Sequence, residues 1–349
     1  MRHLTALVAG AGALGGELAR LLGLLGTGKV IVVDPDRVEA TNLPRSWCFW
    51  NREAIGKPKA EVLAGEARSR FSDTDWLPLG EEIADVGFAR IAEAQIIFSC
   101  VDSDHARLEI AYIATRLNIP VADGGLAAGN YSQGRISWFP GRRAACFSCM
   151  LRPSKRRELL ESWDATVRPC SGEGEAGGFS STPIMAGVVA AIELELGLRQ
   201  LWSERARDSY TVNVELHPNL SFTQFEMPLS RECPFHGDAW PARTRSPGPG
   251  STVQQLLDSA QATTLILDWP ICTAAECLDC GRHWRPMQRL AALRRRAGCP
   301  GCGGRRILER EVVRTIPAHS PLASEPLSAL RLPAHHLFTV TKQVSTTPG

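Results

Sequence analysis

Short apolar runs, each closed by glycine or an acidic residue, set the pattern of the first half of the chain. His3–Gly10 (HLTALVAG) is an apolar run ending on glycine, which predicts a buried parallel strand. Ala13–Leu25, rich in Leu, Ala and Gly, follows as a helix, and Lys29–Asp34 (KVIVVD) as the next strand, so the first 34 residues read as a β-α-β unit. Further strands are predicted at Ala94–Cys100 and Ile119–Asp123, and helices over Lys59–Ser69 and Ala106–Leu117. Such alternation predicts an α/β architecture, a Rossmann-like doubly wound and mostly parallel sheet. Tyr131–Phe139 (YSQGRISWF) alternates more regularly and predicts an antiparallel strand joined to one end of that sheet. Arg152–Thr182 is a polar connecting stretch. Pro183–Gln200 is a strong helix pattern with proline at its start, and SYTVNV and LSFTQFEM read as a closing β pair.

The proline, glycine and serine of Pro241–Thr252 mark a linker. The expected organisation is therefore a large domain over 1–240, a linker over 241–252 and a small C-terminal domain over 253–349. The 349 residues are 44% hydrophobic and 22% charged, a globular composition. A formal net charge of +2 gives no global pull towards nucleic acid or an anionic membrane. No apolar stretch of about 20 residues predicts a membrane span. The N-terminus runs straight into the first strand pattern without a signal-peptide design. Of the eleven cysteines, six form C-x2-C pairs, a spacing that suits metal better than disulfides. A reducing, cytoplasmic setting is the expectation.

Gly10, Gly12 and Gly15 form G-A-G-A-L-G between the first strand and helix, where backbone N–H groups at a helix start can hold phosphate. Asp34, at the end of the second strand, can accept hydrogen bonds from ribose hydroxyls. Up to this point an NAD-dependent dehydrogenase fits equally well, and a tight turn with no ligand is the minor alternative. Asp34, Asp36, Asn42, Arg45 and Lys59 then follow closely, and Asp102 lies just past a strand end in SCVDSDHAR. Cations that offset phosphate charge and a carboxylate that holds magnesium suit ATP.

On the stretches GAGALGGELARLLGLLG, VDPDRVEATNLPR, GKPKAEV and CVDSDHAR, the sequence resembles the ubiquitin-activating-enzyme superfamily, the ThiF/MoeB/HesA-like adenylyltransferases. The likeness covers about the first 120 residues, and the Pro183 helix carries it to about residue 240. It implies that Asp34 binds ribose, that Asn42, Arg45 and Lys59 contact phosphates, and that Asp102 binds Mg2+. It also implies ATP-dependent adenylation of the C-terminal carboxylate of a ubiquitin-like (β-grasp) protein, and a homodimer. Two departures stand out. Ser46 occupies the place of the family's usual glutamine in NLPRS, and Arg2 is the sole candidate for an N-terminal arginine that reaches the phosphates. Arg142, Arg143, Arg156 and Arg157, or a partner, are the substitutes to consider.

Cys146 and Cys149 (CFSC), with Cys233 and His236 (CPFH), supply three thiolates and an imidazole, a closed tetrahedral zinc set. The resemblance supports the pairing, although His236 stands where cysteine is commoner. Cys277, Cys280, Cys299 and Cys302 match the C-x2-C-x15–20-C-x2-C zinc pattern without any family knowledge. A tail offering few other core residues would need that zinc. The basic RHWRPMQRLAALRRRAG between those pairs reads as a solvated helix face, or as a docking face for an acidic partner or nucleic acid. His335 and His336 are expected at the surface.

Cys48, Cys100, Cys170 and Cys272 remain. Cys48 and Cys100 are expected as inert packing, and Cys272 has no supporting constellation. The resemblance implies that the segment holding Cys170, about 152–182, crosses over the adenylate, and that in several relatives it carries an acyl-accepting cysteine. Cys170 is thus a candidate nucleophile that would pass the acyl group to a conjugating enzyme. An adenylation-only sulfur-carrier enzyme and a non-catalytic scaffold for a ubiquitin-like protein are the alternatives.

Overall fold

The computed structural model describes residues 1–127, 131–164, 182–203, 208–236, 243–245, 248, 250–296, 298–333 and 335–342. They fall into two compact units: Met1–Val86, Arg90–Pro153 and Glu173–Gly237 form the first, and Gly87–Ala89, Ser154–Gly172 and Asp238–Gly349 the second.

The first unit is built on β1 (Thr5–Ala9), β2 (Lys29–Val33), β3 (Asp75–Leu79), β4 (Ile96–Ser99), β5 (Val121–Leu126), β6 (Gln133–Phe139), β7 (Ser209–Glu215) and β8 (Ser221–Met227). They make one sheet in the order β3-β2-β1-β4-β5-β6-β7-β8. The first five strands pair in parallel, and β6 to β8 continue as an antiparallel meander. The sequence pattern did not mark β3, because Pro78 breaks it; at the sheet edge a missing N–H is tolerated.

The helices up to residue 201 are α1 (Ala13–Leu24), α2 (Lys59–Arg70), the short α3 (Phe88–Ile91), α4 (Asp104–Leu117), the short α5 (Phe147–Met150), α6 (Pro153–Asp164) and α7 (Pro183–Leu201); residues 88–89 of α3 and 154–164 of α6 fall in the second unit. α6 corrects the reading of 152–182 as a connecting stretch throughout: its first part is helical, with Leu159 and Arg156 buried. Thr182 caps α7 by accepting the Met185 N–H at 3.1 Å, with Pro183 where a missing donor costs nothing. α1 and α7 pack on each other, and Leu14, Leu18, Val189, Ala190, Ile136 and Trp138 join one continuous core.

Strand periodicity makes the sheet two-faced from β5 to β8. On one face the ladder Gly124, Ile136, Val212 lies over α7, where Gly134 leaves room for Val189 and Met185. On the other face run Gly125, Arg135, Asn213, Thr223 and, one step along, Asp123, Ser137, Thr211, Phe225.

The second unit adds β9 (Arg243–Arg245), α8 (Val253–Ala260), β10 (Ala262–Cys277), β11 (His283–Trp284), β12 (Gln288–Arg289), α9 (Leu290–Arg296), β13 (Ile307–Pro317) and β14 (Leu337–Lys342). Thr252 and Gln255 close a reciprocal capping box at the start of α8, at 3.2 and 3.0 Å. Val253, Leu256, Leu257, Leu265, Ile316 and Phe338 form an apolar core here, so the tail is not as poor in core residues as its sequence suggested. The basic stretch is also not simply a solvated face. Leu290 and Leu293 are buried, Arg294 bonds Glu309 at 3.0 Å, and Arg289 is buried above the Trp269 ring. His336 is a further correction. It is 6% exposed, sits between the Phe88 and Phe338 rings, and donates from Nε2 to Asp268 at 3.1 Å while Nδ1 accepts the Phe88 N–H.

Candidate functional site

The glycine-rich turn is fixed by close backbone approaches. Gly10 adopts φ +98°, and a side chain there would lie 2.6 Å from the Cys100 carbonyl oxygen. A methyl on Gly15 would overlap the Gly10 carbonyl. Gly12, the N-cap of α1, faces open space, and no side chain caps the helix. The first N–H groups of α1 are thus left to a ligand, a geometry that fits phosphate.

Asp34 is buried beneath this turn. One of its carboxylate oxygens accepts the Ala11 N–H at 2.7 Å and the other the Asp36 N–H at 2.8 Å. Burial raises its pKa, against the pull of those N–H groups and of Lys59. Each oxygen retains capacity for one more donor, as a ribose hydroxyl requires. Lys59, at the start of α2, reaches Asp36 at 3.3 Å. Asn42 and Arg45 share a short 3-10 turn, Ala40–Arg45, in which Asn42 Oδ1 accepts the Glu39 N–H at 2.9 Å. Its amide nitrogen is the donor it would offer a phosphate. Ser46, where the pattern departed from the family, is buried against Gly16, and Trp47 donates to the Gly16 carbonyl at 2.8 Å. Both hold this segment on α1. Asp102 is exposed, three residues past β4 in the loop before α4, where ligands sit in this architecture once Ser103 has capped the helix.

Sequence reasoning missed the polar cluster beside that loop. Asp123, 2% exposed, accepts from Ser99 Oγ at 2.6 Å, Arg107 Nε at 3.0 Å and Arg135 Nη2 at 3.1 Å. These residues come from β4, α4, β5 and β6, so no local pattern announces them. They adjoin a cleft of about 460 Å³ on the polar sheet face, walled by Gly125, Asn213, Thr223 and Phe225.

Glu193 was missed too. It is fully buried in α7, where the Gly124 N–H and the Cys100 thiol, at 3.8 Å, donate to it. Burial first, then the charge of Asp123, raises its pKa well above the ordinary carboxylate range. The folded chain therefore holds a proton that the unfolded chain releases as pH rises through the usual value of 4.5. Stability falls with pH over that window, up to the raised folded value. Glu193→Gln removes this linkage. Its Tm is expected to gain on the wild type as pH rises from about 4 to 8 in a thermal-melt series. A difference constant with pH would show Glu193 is not the linked group.

The remaining cysteines divide clearly. Burial pushes Cys48 up to about 12 and Cys272 up to about 11, and raises Cys100 well above its usual value. Cys48 and Cys272 are buried, whereas Cys100 is half-buried with its thiol turned to Glu193. Cys170 lies outside the described residues. Of the candidate substitutes for the phosphate-binding arginine, Arg156 is buried, whereas Arg143 and Arg157 are exposed.

Both expected metal sets come together. The ligand atoms of Cys146, Cys149, Cys233 and His236 lie within 4.8 Å of one another, as do those of Cys277, Cys280, Cys299 and Cys302. Sulfur pairs stand 3.8 and 4.0 Å apart in the first and 3.6 Å in the second. A tetrahedron with zinc–sulfur bonds of about 2.3 Å needs about 3.8 Å. His236 Nδ1 donates to the Arg142 carbonyl at 2.9 Å, which aims Nε2 at the thiolates. In the second set, Gly281 and Gly303 each follow a C-x2-C pair with φ of +71° and +73°. The Gly301 and Gly304 N–H groups donate to the Cys299 and Cys302 sulfurs at 3.3 and 3.4 Å. The donors and spacing fit zinc with no open position, a structural rather than a catalytic arrangement. Among the described residues no helix is long and apolar enough to cross a membrane.

Comparison with known proteins follows the same lines. The chain is 41% identical over 108 residues to the NEDD8-activating enzyme E1 catalytic subunit of Arabidopsis thaliana, covering 31% of this chain and 24% of that protein. It is 27% identical over 150 residues to the adenylyltransferase and sulfurtransferase UBA4 of Meyerozyma guilliermondii, covering 43% and 34%. The chain thus spans well under half the length of these relatives. Among solved structures, E. coli MccB with succinimide aligns with a TM-score of 0.51 at 18% identity, over 68% of this chain and 67% of that one. At that identity the likeness speaks for the fold. Residues 1–234 match the ThiF family, and the chain belongs to it.

Proposed function

We propose that the chain is an ATP- and magnesium-dependent adenylyltransferase that activates the C-terminal carboxylate of a ubiquitin-like protein. The observation that carries this reading is the open, uncapped start of α1 at Gly12, with Asp34 behind it and Asp102 at the neighbouring strand end. In this reading the ribose lies on Asp34, and Asn42, Arg45 and Lys59 hold the phosphates, Lys59 exchanging its bond to Asp36 for one to a phosphate. Magnesium on Asp102 would neutralise charge on the phosphates. The acyl carboxylate attacks the α-phosphorus; the bond to pyrophosphate breaks, leaving an acyl adenylate. The zinc sets act as staples. A homodimer is the assembly proposed.

ATP–pyrophosphate exchange stimulated by a ubiquitin-like protein tests the reading. No exchange with any such partner, with binding retained, would sink it in favour of a scaffold.

The finer proposal is that Cys170 takes the acyl group as a thioester and passes it to a conjugating enzyme. The expected result for Cys170→Ala is unchanged pyrophosphate exchange with loss of the thiol-reducible adduct on a non-reducing gel. An undiminished adduct would remove Cys170 from the mechanism. Normal exchange with no adduct even in the wild type would favour the sulfur-carrier reading, to which the similarity to UBA4 gives weight.

A further inference from the structure

We infer that Arg135 and Arg107, which meet behind Gly125, form a receptor for a free carboxylate, the C-terminus of the polypeptide to be activated. The owner of that carboxylate rests on the adenylation reading; the receptor itself stands on geometry. Gly125 pairs directly with Arg135 across β5 and β6. A side chain on Gly125 would lie 3.3 Å from Arg107 Nη2 and 3.7 Å from Arg135 Nη2. Its absence opens a window from the cleft onto both guanidinium groups.

The donor inventory shows which N–H groups are left for a ligand. Arg107 spends Nε on Asp123 and Nη2 on the carbonyls of Val101 at 2.7 Å and Gly124 at 3.2 Å, and Nη1 lies 3.9 Å from Asp104. Arg135 donates only to Asp123 among the described residues, and its Nε is buried with no partner. A buried guanidinium N–H without an acceptor is costly, and a carboxylate has two oxygens with which to accept from the Arg135 fork. Asp123 is shared by both arginines. The other acidic groups on the cleft wall are Asp104, 45% exposed, and Glu215, which holds the Gln133 amide at 2.8 Å. Neither contacts Arg135. Because Arg107 also grips the carbonyl preceding Asp102, the window adjoins the loop proposed for magnesium. A carboxylate that must approach a triphosphate meets like charge, and two guanidinium groups offset that repulsion while fixing its direction. Arg135 is accordingly a positioning residue.

The test uses the full-length chain and a short glycine–serine peptide without charged side chains, with either a free C-terminal carboxylate or a carboxamide. Calorimetric titration is expected to show the acid binding at least about tenfold more tightly than the amide. Arg135→Ala should abolish that preference. Gly125→Leu, which keeps both charges but covers the window, should abolish it too, and Arg135→Lys should retain part of it. Melting curves identify any variant that fails to fold. Equal binding of acid and amide, no binding of either, or a preference that survives both Arg135→Ala and Gly125→Leu would overturn the proposal. Pyrophosphate exchange in the same preparations separates the two ideas: the carboxylate preference without exchange would retain the receptor and discard adenylation.

Discussion

Asp102→Asn is expected to lower ATP–pyrophosphate exchange by about 10²–10³-fold, the usual cost of removing one group that stabilises developing charge. The substitution keeps the size of the side chain and removes only the charge. Asp102 is exposed and lies outside the packed helix and strand on either side of it, so the melting temperature should not move. ATP affinity measured with and without Mg2+ completes the test: the wild type should gain from the metal, and the variant should not. Exchange at the wild-type rate would remove Asp102 from the proposed metal site. Loss of exchange with a normal magnesium dependence of ATP binding would place its role in the chemical step alone.

The second large effect concerns the C-terminal cysteines. Structural zinc in small finger peptides is worth about 10–16 kcal/mol of apparent folding free energy. Here the metal set adjoins a small cluster of Cys272, Ala275, Leu290, Leu293 and Ile307, while Val253, Leu256, Leu265 and Phe338 form a separate core. Cys299→Ser is therefore expected to melt the ribbon locally, not the whole tail. Hydrogen exchange should lose its protection across 277–312 and keep it across 253–266. Metal analysis should fall from two zinc ions per chain to one, matching the loss of one of the two ligand sets. Uniform loss of protection across the tail would show that the zinc nucleates the entire unit. Unaltered zinc content would show that the second set holds none.

What the sequence announced and what it concealed differ in a physical way. The β1-α1-β2 unit, Gly10, Gly12 and Gly15, and both cysteine sets were legible because their information is local: runs, turns and fixed spacings. The Asp123, Arg107 and Arg135 cluster was not. Its members lie on three elements, and each alone looks like an ordinary polar position. Glu193 was equally hidden, because periodicity reports a face and not which carboxylate the fold covers with Gly124 and Cys100. His336 looked like half of an exposed pair until Asp268 and Phe88 enclosed it. In α6, charge masked the helix; among its described side chains only Leu159 and Arg156 are buried.

The two-faced sheet has a consequence for how this chain can change. In β6, Arg135 faces the cleft while its neighbour Ile136 and the buried Trp138 face the core under α7. A deletion or insertion of one residue in this strand would exchange the two sets, placing a guanidinium in hydrocarbon and an indole in the cleft. Changes of length in β5 to β7 can therefore be absorbed only in the connections, or in steps of two. Loop grafts into this sheet should respect that parity.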